Sequence, residues 1–132
     1  MKIFFDHNLS PAMARALREL FKGQHEVTWL AERFARTTTD QDWMRELGQN
    51  GQWLVFTADR RIIRTHAELH AFRQAKLTGF FLSKGLAKCR VIKQLERILA
   101  NWEQIEALSH KTSGGSLFEL GMKTNHPKVL KG

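Results

Sequence analysis

The chain alternates between short runs of apolar residues and longer stretches in which apolar residues recur every third or fourth position. Such runs are typical of buried strands, and such stretches are typical of helices with one face toward a core. The runs lie at residues 2–5, 26–30, 53–57, 79–82 and 116–120. A helical stretch follows each of the first four runs. This order predicts an α/β fold with a mostly parallel central sheet and helices on both faces.

Local signals predict where several helices begin and end. Ser10 followed by Pro11 is typical of an N-cap and a first helical residue, and Gly23 is typical of a helix end. Thr39 and Thr65 each open a pattern similar to a capping box, which predicts two further helix starts. The first helix is expected to turn four apolar residues toward the core: Met13, Leu17, Leu20 and Phe21.

The longest helix is predicted over residues 88–108, followed by a loop over residues 109–115. Apolar residues repeat through this helix at three- and four-residue steps, which indicates a core-facing side. These residues are Val91, Ile92, Leu95, Ile98, Leu99, Trp102, Ile105 and Leu108. We expect residues 1–120 to form one domain and residues 121–132 to form a basic, partly ordered tail.

Charge adds information that the hydrophobic pattern does not contain. The net charge of the 132 residues is +8. Residues 1–59 carry seven basic and eight acidic residues, whereas residues 60–132 carry fourteen and five. Basic proteins attract polyanions, chiefly because binding releases counterions from phosphates. The charge therefore favours contact with nucleic acid, and an acidic protein partner or an anionic membrane surface are the alternatives.

The cysteine content and the N-terminus indicate a compartment. Cys89 is the single cysteine, so the chain has no internal disulfide and no cysteine-based zinc site, as is typical of proteins in reducing compartments. No apolar run approaches the roughly 18 residues of a membrane span. Asp6 interrupts the N-terminal apolar run that a secretory signal would need. We expect an unprocessed cytoplasmic protein without a membrane partner.

Acidic residues follow the ends of two predicted strands. Asp6 ends the first strand and Asp59 comes just after the third. Because ligands bind outside the carboxyl ends of parallel strands, both side chains are expected at one edge of the sheet. Asp40 and Asp42 lie in the first turn of the helix after Thr39 and are expected at the same edge, although Asp42 also suits the capping box.

Carboxylates that meet at one edge repel each other unless a cation lies between them. A divalent cation with oxygen ligands removes this repulsion, and Mg²⁺ or Mn²⁺ held in this way can polarise a phosphoryl oxygen and activate water. Arg60 and Arg61 flank Asp59 and are expected to reach phosphates. His7 is expected to point to the opposite side of the strand end. His66 and His70 have the spacing of a metal pair, but solvated helix positions are favoured.

Two segments resemble short PIN-like domains. Residues 1–20, MKIFFDHNLSPAMARALREL, are similar to an opening strand that ends in Asp-x-Asn-Leu-Ser and leads into a helix. Residues 37–62, TTTDQDWMRELGQNGQWLVFTADRRI, continue the resemblance with an acidic helix start, a glycine-containing turn, a buried strand and Thr-x-Asp. Over roughly residues 1–85, the chain is similar to PIN-like toxins of bacterial toxin–antitoxin systems, the VapC-like group.

The resemblance implies a three-layer α/β/α fold and assigns roles to several residues. The metal ligands would be Asp6, Asp42 and Asp59, with Asp40 as the substitute for Asp42. Asn8 and Thr57 would orient ligands or phosphate oxygens. Many short relatives carry another acid two residues after the Asp59 position, where this chain has Arg61. Glu68 is the available fourth acid, and Asp40 and Glu32 are the alternatives.

The resemblance also implies a function. The expected activity is that of a metal-dependent endoribonuclease using Mg²⁺ or Mn²⁺, with Arg60, Arg61 and Arg64 holding the RNA backbone. The expected biological role is the toxin of a type II toxin–antitoxin system, neutralised by a protein antitoxin, and homodimerisation is compatible with this interpretation. The alternatives are a catalytically inactive PIN-like module that binds nucleic acid or protein, a receiver-like phosphoacceptor domain using Thr57 and Lys84, and a DNA-directed nuclease.

Overall fold

Six strands form one sheet in a computed structural model that describes residues 1–130. The strands are β1 (Lys2–Phe5), β2 (Glu26–Trp29), β3 (Trp53–Thr57), β4 (Thr78–Leu82), β5 (Leu117–Leu120) and β6 (Lys128–Leu130). The helices are α1 (Pro11–Leu20), α2 (Leu30–Arg33), α3 (Asp40–Gln49), α4 (Arg61–Arg64), α5 (His66–Gln74), α6 (Lys84–Ala87), α7 (Val91–Ala100) and α8 (Trp102–Lys111).

The strand order is β2-β1-β3-β4-β5-β6. Strands β1 to β5 are parallel, and β6 pairs antiparallel with β5. Strand β1 lies between β2 and β3, and Phe5 is in register with Phe56. The carboxyl ends of β1 and β3 are therefore neighbours, which is the placement on which the candidate site depends. The predicted mostly parallel α/β sheet is confirmed.

Helices cover both faces of the sheet because successive strand residues point to opposite sides. Phe56 and Phe80 belong to one apolar cluster, which includes residues of α1, α7 and α8. Val55 and Phe81 belong to a second cluster, which includes residues of α3, α4 and α5. Strand β3 contributes to both, and all five of its residues are buried. The result is the expected three-layer α/β/α arrangement.

All three predicted helix starts are confirmed, since α1, α3 and α5 begin directly after Ser10, Thr39 and Thr65. Ser10 accepts a hydrogen bond from the Ala12 N–H at 3.2 Å, and Thr39 accepts one from the Asp42 N–H at 3.2 Å. The capping box at Thr65 is wrong, because the Thr65 side chain makes no capping hydrogen bond. Thr65 is the single residue between α4 and α5, so it also ends the preceding helix.

The single long helix predicted over residues 88–108 is wrong. The segment forms α7 and α8, which meet at Asn101, and α8 extends to Lys111 inside the predicted loop. Asn101 is fully buried, and its side-chain amide donates to the Arg97 carbonyl at 2.7 Å. The Asn101 side-chain amide competes with backbone N–H groups for the Arg97 carbonyl, and such competition favours the end of a helix.

Several residues predicted to face the core are exposed instead. The predicted inward face of α7 includes adjacent residues, at positions 91–92 and 98–99, which point in different directions on a helix and cannot all face the core. Ile92 is 75% exposed. The other exposed residues of the predicted inward faces are Leu20, Val91 and Leu99.

Short elements that the pattern did not predict complete the fold. Helices α2, α4 and α6 each span four residues. Part of the predicted basic tail forms β6, and residues 131–132 of that tail lie outside the described part of the chain. Among the helices of residues 1–130, none combines the length and apolar character needed to cross a membrane.

Candidate active site

Asp6 and Thr57 meet where two neighbouring strands end. The Asp6 N–H donates to the Phe56 carbonyl at 3.0 Å, so the pairing of β1 with β3 continues one residue beyond β1. The Thr57 hydroxyl donates to Asp6 Oδ2 at 2.8 Å. Asp6 is 1% exposed and Thr57 is fully buried. The hydroxyl therefore fixes the orientation of a buried carboxylate.

The same hydroxyl also holds the loop that follows β3. The Asp59 N–H donates to Thr57 Oγ1 at 3.0 Å. Asn8 Oδ1 accepts a hydrogen bond from the Ala58 N–H at 3.0 Å, and the Asn8 side chain lies 3.4 Å from Thr57 Oγ1. Thr57 and Asn8 thus connect the loops after β1 and β3, which places Asp6 and Asp59 at one edge.

Asp59 is held by an arginine of its own loop. Arg61 Nε lies 2.9 Å from Asp59 Oδ1, and Arg61 Nη2 lies 2.8 Å from Oδ2. The guanidinium holds the pKa of the Asp59 carboxyl below its ordinary value, and the Arg61 N–H, which also donates to that carboxylate, adds to this effect. Asp59 is nearly buried, whereas the Arg61 side chain is 67% exposed. The guanidinium therefore covers the carboxylate from the solvent side.

Two further carboxylates lie near this edge. Burial raises the pKa of Glu68, and the negative charges of Asp40, Asp59 and, more weakly, Asp6 raise it further. Glu68 Oε2 is buried and has no hydrogen-bond partner in the described part of the chain, residues 1–130. Asp40 accepts a hydrogen bond from Trp43 Nε1 at 3.0 Å, which anchors it to a buried side chain. We call these four residues the acidic cluster: Asp6, Asp40, Asp59 and Glu68.

Asp42 lies apart from this cluster. Its side chain is 56% exposed and pairs with Arg45 at 3.1 Å. The Thr39 cap makes Asp40 the first residue of α3 and Asp42 the third. At 3.6 residues per turn, two residues separate these side chains by more than half a turn, so only one of them can face the sheet edge. Of the two acids that the sequence offered for the third ligand, the structure brings Asp40, the substitute, near Glu68 and leaves Asp42 paired with Arg45 at the surface.

Glu32 is also outside the cluster. Its carboxylate accepts hydrogen bonds from Arg18 Nη1 at 2.9 Å and from Thr28 Oγ1 at 2.7 Å. Arg18 lowers the pKa of Glu32 below its ordinary value. This carboxylate joins α1 to the end of β2. Of the three acids proposed for the fourth position, only Glu68 and Asp40 are therefore near Asp59.

A family model described as "PIN like domain" matches residues 1–84 of the chain. This range is more than half of the 132 residues and includes the whole acidic cluster. The chain belongs to the PIN-like domain family. The PIN-like fold is of the nuclease type, and members of the family are generally nucleases, which use divalent metals. No match was found among curated proteins or among solved structures.

The three arginines near the cluster of this PIN-like domain have different surroundings. Arg60 is mostly buried, pairs with Glu119 of β5 and donates to the Leu82 carbonyl at 3.3 Å. Arg61 covers Asp59. Arg64 is exposed, its Nε donates to the Arg60 carbonyl at 3.4 Å, and it makes no ion pair within residues 1–130. The structure thus gives Arg60 an internal partner, and Arg64 presents its guanidinium to solvent.

His7 was expected on the far side of the strand end, and this expectation is wrong. His7 Nδ1 lies 3.0 Å from Asp6 Oδ1, and the His7 N–H donates to the same oxygen at 2.7 Å. Its charge also contributes to the low pKa of Asp59. The signal that could have identified it is its position directly after a strand-ending acid, where the backbone turns and brings the two side chains together.

The donor set of the PIN-like domain fits a hard divalent cation. All four members of the acidic cluster supply oxygen atoms, which Mg²⁺ and Mn²⁺ prefer. The buried Glu68 Oε2 has no hydrogen-bond partner among residues 1–130, so it is available to a ligand. Within residues 1–130, no three histidine, cysteine, aspartate or glutamate side chains are already arranged as a metal site. Arg61 supplies the positive charge at Asp59, so a cation there would have to displace its guanidinium.

Proposed function

We propose that this PIN-like domain is a metal-dependent endoribonuclease that hydrolyses RNA phosphodiester bonds with Mg²⁺ or Mn²⁺. The observation that carries the proposal is the placement of Asp6 and Asp59 at the carboxyl edge of a parallel sheet, where Thr57 bonds to both, with Asp40 and Glu68 near enough for their charges to interact. The basic surplus of residues 60–132 supports a polyanionic substrate.

The residues of the chain have separate roles in this mechanism. Asp6 and Asp59 hold the cation from two neighbouring strand ends, and Thr57 keeps both in place through its hydroxyl. When bound, the cation supplies charge stabilisation and an activated water. Glu68 Oε2, which no donor of residues 1–130 contacts, can accept a hydrogen bond from water. Arg64, which has no internal ion pair among residues 1–130, contacts the RNA backbone.

We extend the proposal to the biological role implied by the two PIN-like segments. In this role the protein is a cytoplasmic toxin of the VapC-like group, and a protein antitoxin neutralises it. The antitoxin would block the acidic cluster or an adjacent surface. The basic second part of the chain suits an acidic antitoxin segment as well as RNA.

Cleavage of RNA by the purified protein tests the proposed activity. We expect Mn²⁺ or Mg²⁺ to support cleavage of a structured RNA and an excess of chelator to abolish it. The products should carry 5′-phosphate and 3′-hydroxyl ends because water is the nucleophile. End-specific labelling of the fragments checks this result. Cleavage that resists chelation, or products with 2′,3′-cyclic phosphates, would contradict the proposal.

A DNA oligonucleotide of the same sequence serves as the matched substrate. Preferential cleavage of the DNA would identify a DNA-directed nuclease. Binding of RNA without cleavage at any metal concentration would identify an inactive binding module. Stable phosphorylation by acetyl phosphate would identify the receiver-like alternative.

Replacing Arg61 by glutamine is expected to strengthen Mn²⁺ binding. The guanidinium occupies both oxygens of Asp59, so a cation competes with it. Since the Arg61 side chain is mostly exposed, an ion pair of this kind contributes up to about 1 kcal/mol, which corresponds to a gain in affinity of up to about fivefold. Calorimetric titration with Mn²⁺ in the absence of RNA measures the change.

Arg64→Gln is the matched control for Arg61→Gln. It removes an equally charged side chain from the same short helix, α4, without freeing a carboxylate. We expect its Mn²⁺ affinity to stay near that of the wild type. If both variants bind Mn²⁺ equally well, the Arg61 guanidinium does not compete with the cation.

A further inference from the structure

A surface groove of about 590 Å³ runs between the packed helices α3 and α5. Its floor is made of small residues, including Ala71 and Ala75 of the α5 side and Gly48 of α3. A Cβ added at Gly48 would lie 2.8 Å from the Ala75 Cβ, so the two helices approach closely at this end. Amide, arginine and histidine side chains stand along the walls: Gln41, Arg45, Gln49, His66, His70 and Gln74.

The groove begins beside the acidic cluster. Both helices follow parallel strands, and their first turns carry Asp40 and Glu68. Gln41 and Ala67, which line the groove, are the sequence neighbours of those two acids. The opposite end is marked by the contact of Gly48 with Ala75. The groove therefore leads from the acidic cluster along the surface of two helices.

A second depression of about 340 Å³ continues the groove. It shares His66 and His70 with the groove and adds Arg64 and Arg73. No aspartate or glutamate lines either depression in the part of the chain that the structure describes. Arg45 pairs with Asp42 at the surface, whereas Arg64 and Arg73 make no ion pair within residues 1–130. The positive charge of the connected surface therefore lies on its α5 side, at Arg64 and Arg73, whereas Asp42 and Glu46 line a depression that adjoins the α3 side.

We infer that this surface, the α3–α5 groove, binds a single strand of RNA that passes through the acidic cluster. The inference rests on the proposed function and names its substrate-binding surface. Arginine, glutamine and histidine side chains suit the phosphates and 2′-hydroxyl groups of RNA. The groove lies between two helices that pack together, whose axes are typically about 8–10 Å apart, and a groove of this width suits one extended strand.

Charge favours RNA over an acidic protein segment as the occupant. Either one suits the positive charge on the α5 side of this surface. An acidic segment that followed the groove to the end beside Asp40 and Glu68 would meet the acidic cluster, whose negative charges would repel it. A phosphodiester reaches the same place together with the divalent cation that the proposed reaction requires. The groove and the cluster are thus compatible with one polyanion, the substrate.

The test measures RNA binding in the absence of cleavage. A fluorescent single-stranded RNA is titrated with the full chain in chelator, for the wild type and for the variant Arg45→Ala/His70→Ala/Arg73→Ala. We expect the variant to bind at least about tenfold more weakly and to show a smaller dependence on salt, because two permanent cations are lost. The control Lys22→Ala/Lys88→Ala/Arg90→Ala removes exposed basic residues outside the groove. It should bind RNA within about threefold of the wild type, because salt screens the interaction of distant charges with the RNA.

A second variant changes the shape of the groove and keeps its charge. Gln74→Trp places a large side chain at an exposed position on the groove wall without changing the net charge. We expect it to weaken binding of the single strand as well, and thermal unfolding checks that each variant is folded. Equal RNA binding by wild type and both groove variants would overturn the inference.

The remaining outcomes distinguish the inference from the proposed function. Metal-dependent cleavage together with unchanged RNA binding by the groove variants would retain the nuclease and overturn the groove. Groove-dependent RNA binding without metal-dependent cleavage would retain the groove and overturn the nuclease. The groove variants can also be tested with a polyglutamate peptide. If they lose binding of the peptide that the wild type shows but keep wild-type RNA binding, the groove binds an acidic protein segment and the inference is overturned.

Discussion

Replacing Asp6 and Asp59 together by asparagine is expected to lower the rate of RNA cleavage by more than about 100-fold. Changing an outer hydrogen-bond partner of a metal ligand costs about 10- to 100-fold, and this variant changes two proposed ligands themselves. Asparagine keeps the shape of each side chain but removes both negative charges. Mn²⁺ binding should weaken in parallel, since the two strand-end carboxylates are proposed to hold the cation. Cleavage rates and Mn²⁺ titrations measure both effects.

The fold of this double variant should persist. The amide oxygen introduced by Asp6→Asn can still accept a hydrogen bond from the Thr57 hydroxyl, and the ion pair lost at Asp59 involves the mostly exposed Arg61, so it contributes only about 0–1 kcal/mol. A control that replaces two exposed acids elsewhere, Glu26→Gln/Glu103→Gln, makes the same change in net charge and should cleave RNA normally. Equal cleavage by the wild type and the Asp6/Asp59 variant would contradict the proposed mechanism.

The same pair of proteins tests the proposed toxin role. Expression of the wild type in a bacterial host should arrest growth, and the Asp6→Asn/Asp59→Asn variant should allow it. Growth arrest by both proteins would mean that toxicity does not depend on the acidic cluster. Normal growth with an active wild-type nuclease would remove the toxin assignment and leave the enzymatic proposal in place.

Strand ends explain why part of the site was predictable from sequence. Asp6, Thr57 and Asp59 follow apolar runs, and parallel pairing of those runs brings their carboxyl ends to one edge whatever the details of packing. The register of Phe5 with Phe56 then places Asp6 beside Thr57. Local pattern and sheet topology together determine this half of the site.

The helix that supplies the third acid was less predictable. The sequence gives two acids in the first turn of α3, and the rotation of that helix decides which one faces the edge. Trp43 stacks on Phe4 with ring centroids 5.0 Å apart, and Phe34 packs against the same Phe4 ring. These contacts join residues far apart in sequence, so the local pattern contains no information about the choice between Asp40 and Asp42.

Distant partners also explain the other differences between expectation and structure. Arg60 was expected to bind phosphate, but it pairs with Glu119, which lies 59 residues later in the chain. Arg97, inside the predicted long helix, donates to the Thr124 carbonyl at 3.1 Å and helps to hold the segment before β6. Neither pairing follows from spacing or periodicity. The helix break at Asn101 had a local sign, an amide side chain within an apolar repeat.

Asp40→Asn is expected to lower RNA cleavage by about tenfold or more, whereas Asp42→Asn should leave it within about twofold of the wild type. The charge of Asp40 acts on Glu68, and Asp42 instead pairs with Arg45 at the surface. A change in the ligand environment costs about 10- to 100-fold, and the loss of an exposed ion pair has a small effect. Cleavage rates at saturating Mn²⁺, together with Mn²⁺ affinities, measure the difference.

The two substitutions are closely matched, which makes the comparison sharp. Both remove one charge from the first turn of the same helix, so their effects on the helix dipole, about 0.3–1 kcal/mol each, are similar. The amide oxygen introduced by Asp40→Asn can still accept the hydrogen bond from Trp43 Nε1, so the anchor of this side chain is retained. Removing the Asp40 charge should also lower the pKa of Glu68 toward its ordinary value. A different result would contradict this assignment: a large loss of cleavage in Asp42→Asn and no loss in Asp40→Asn. Asp42 would then be the third ligand, and α3 would have to rotate when the cation binds.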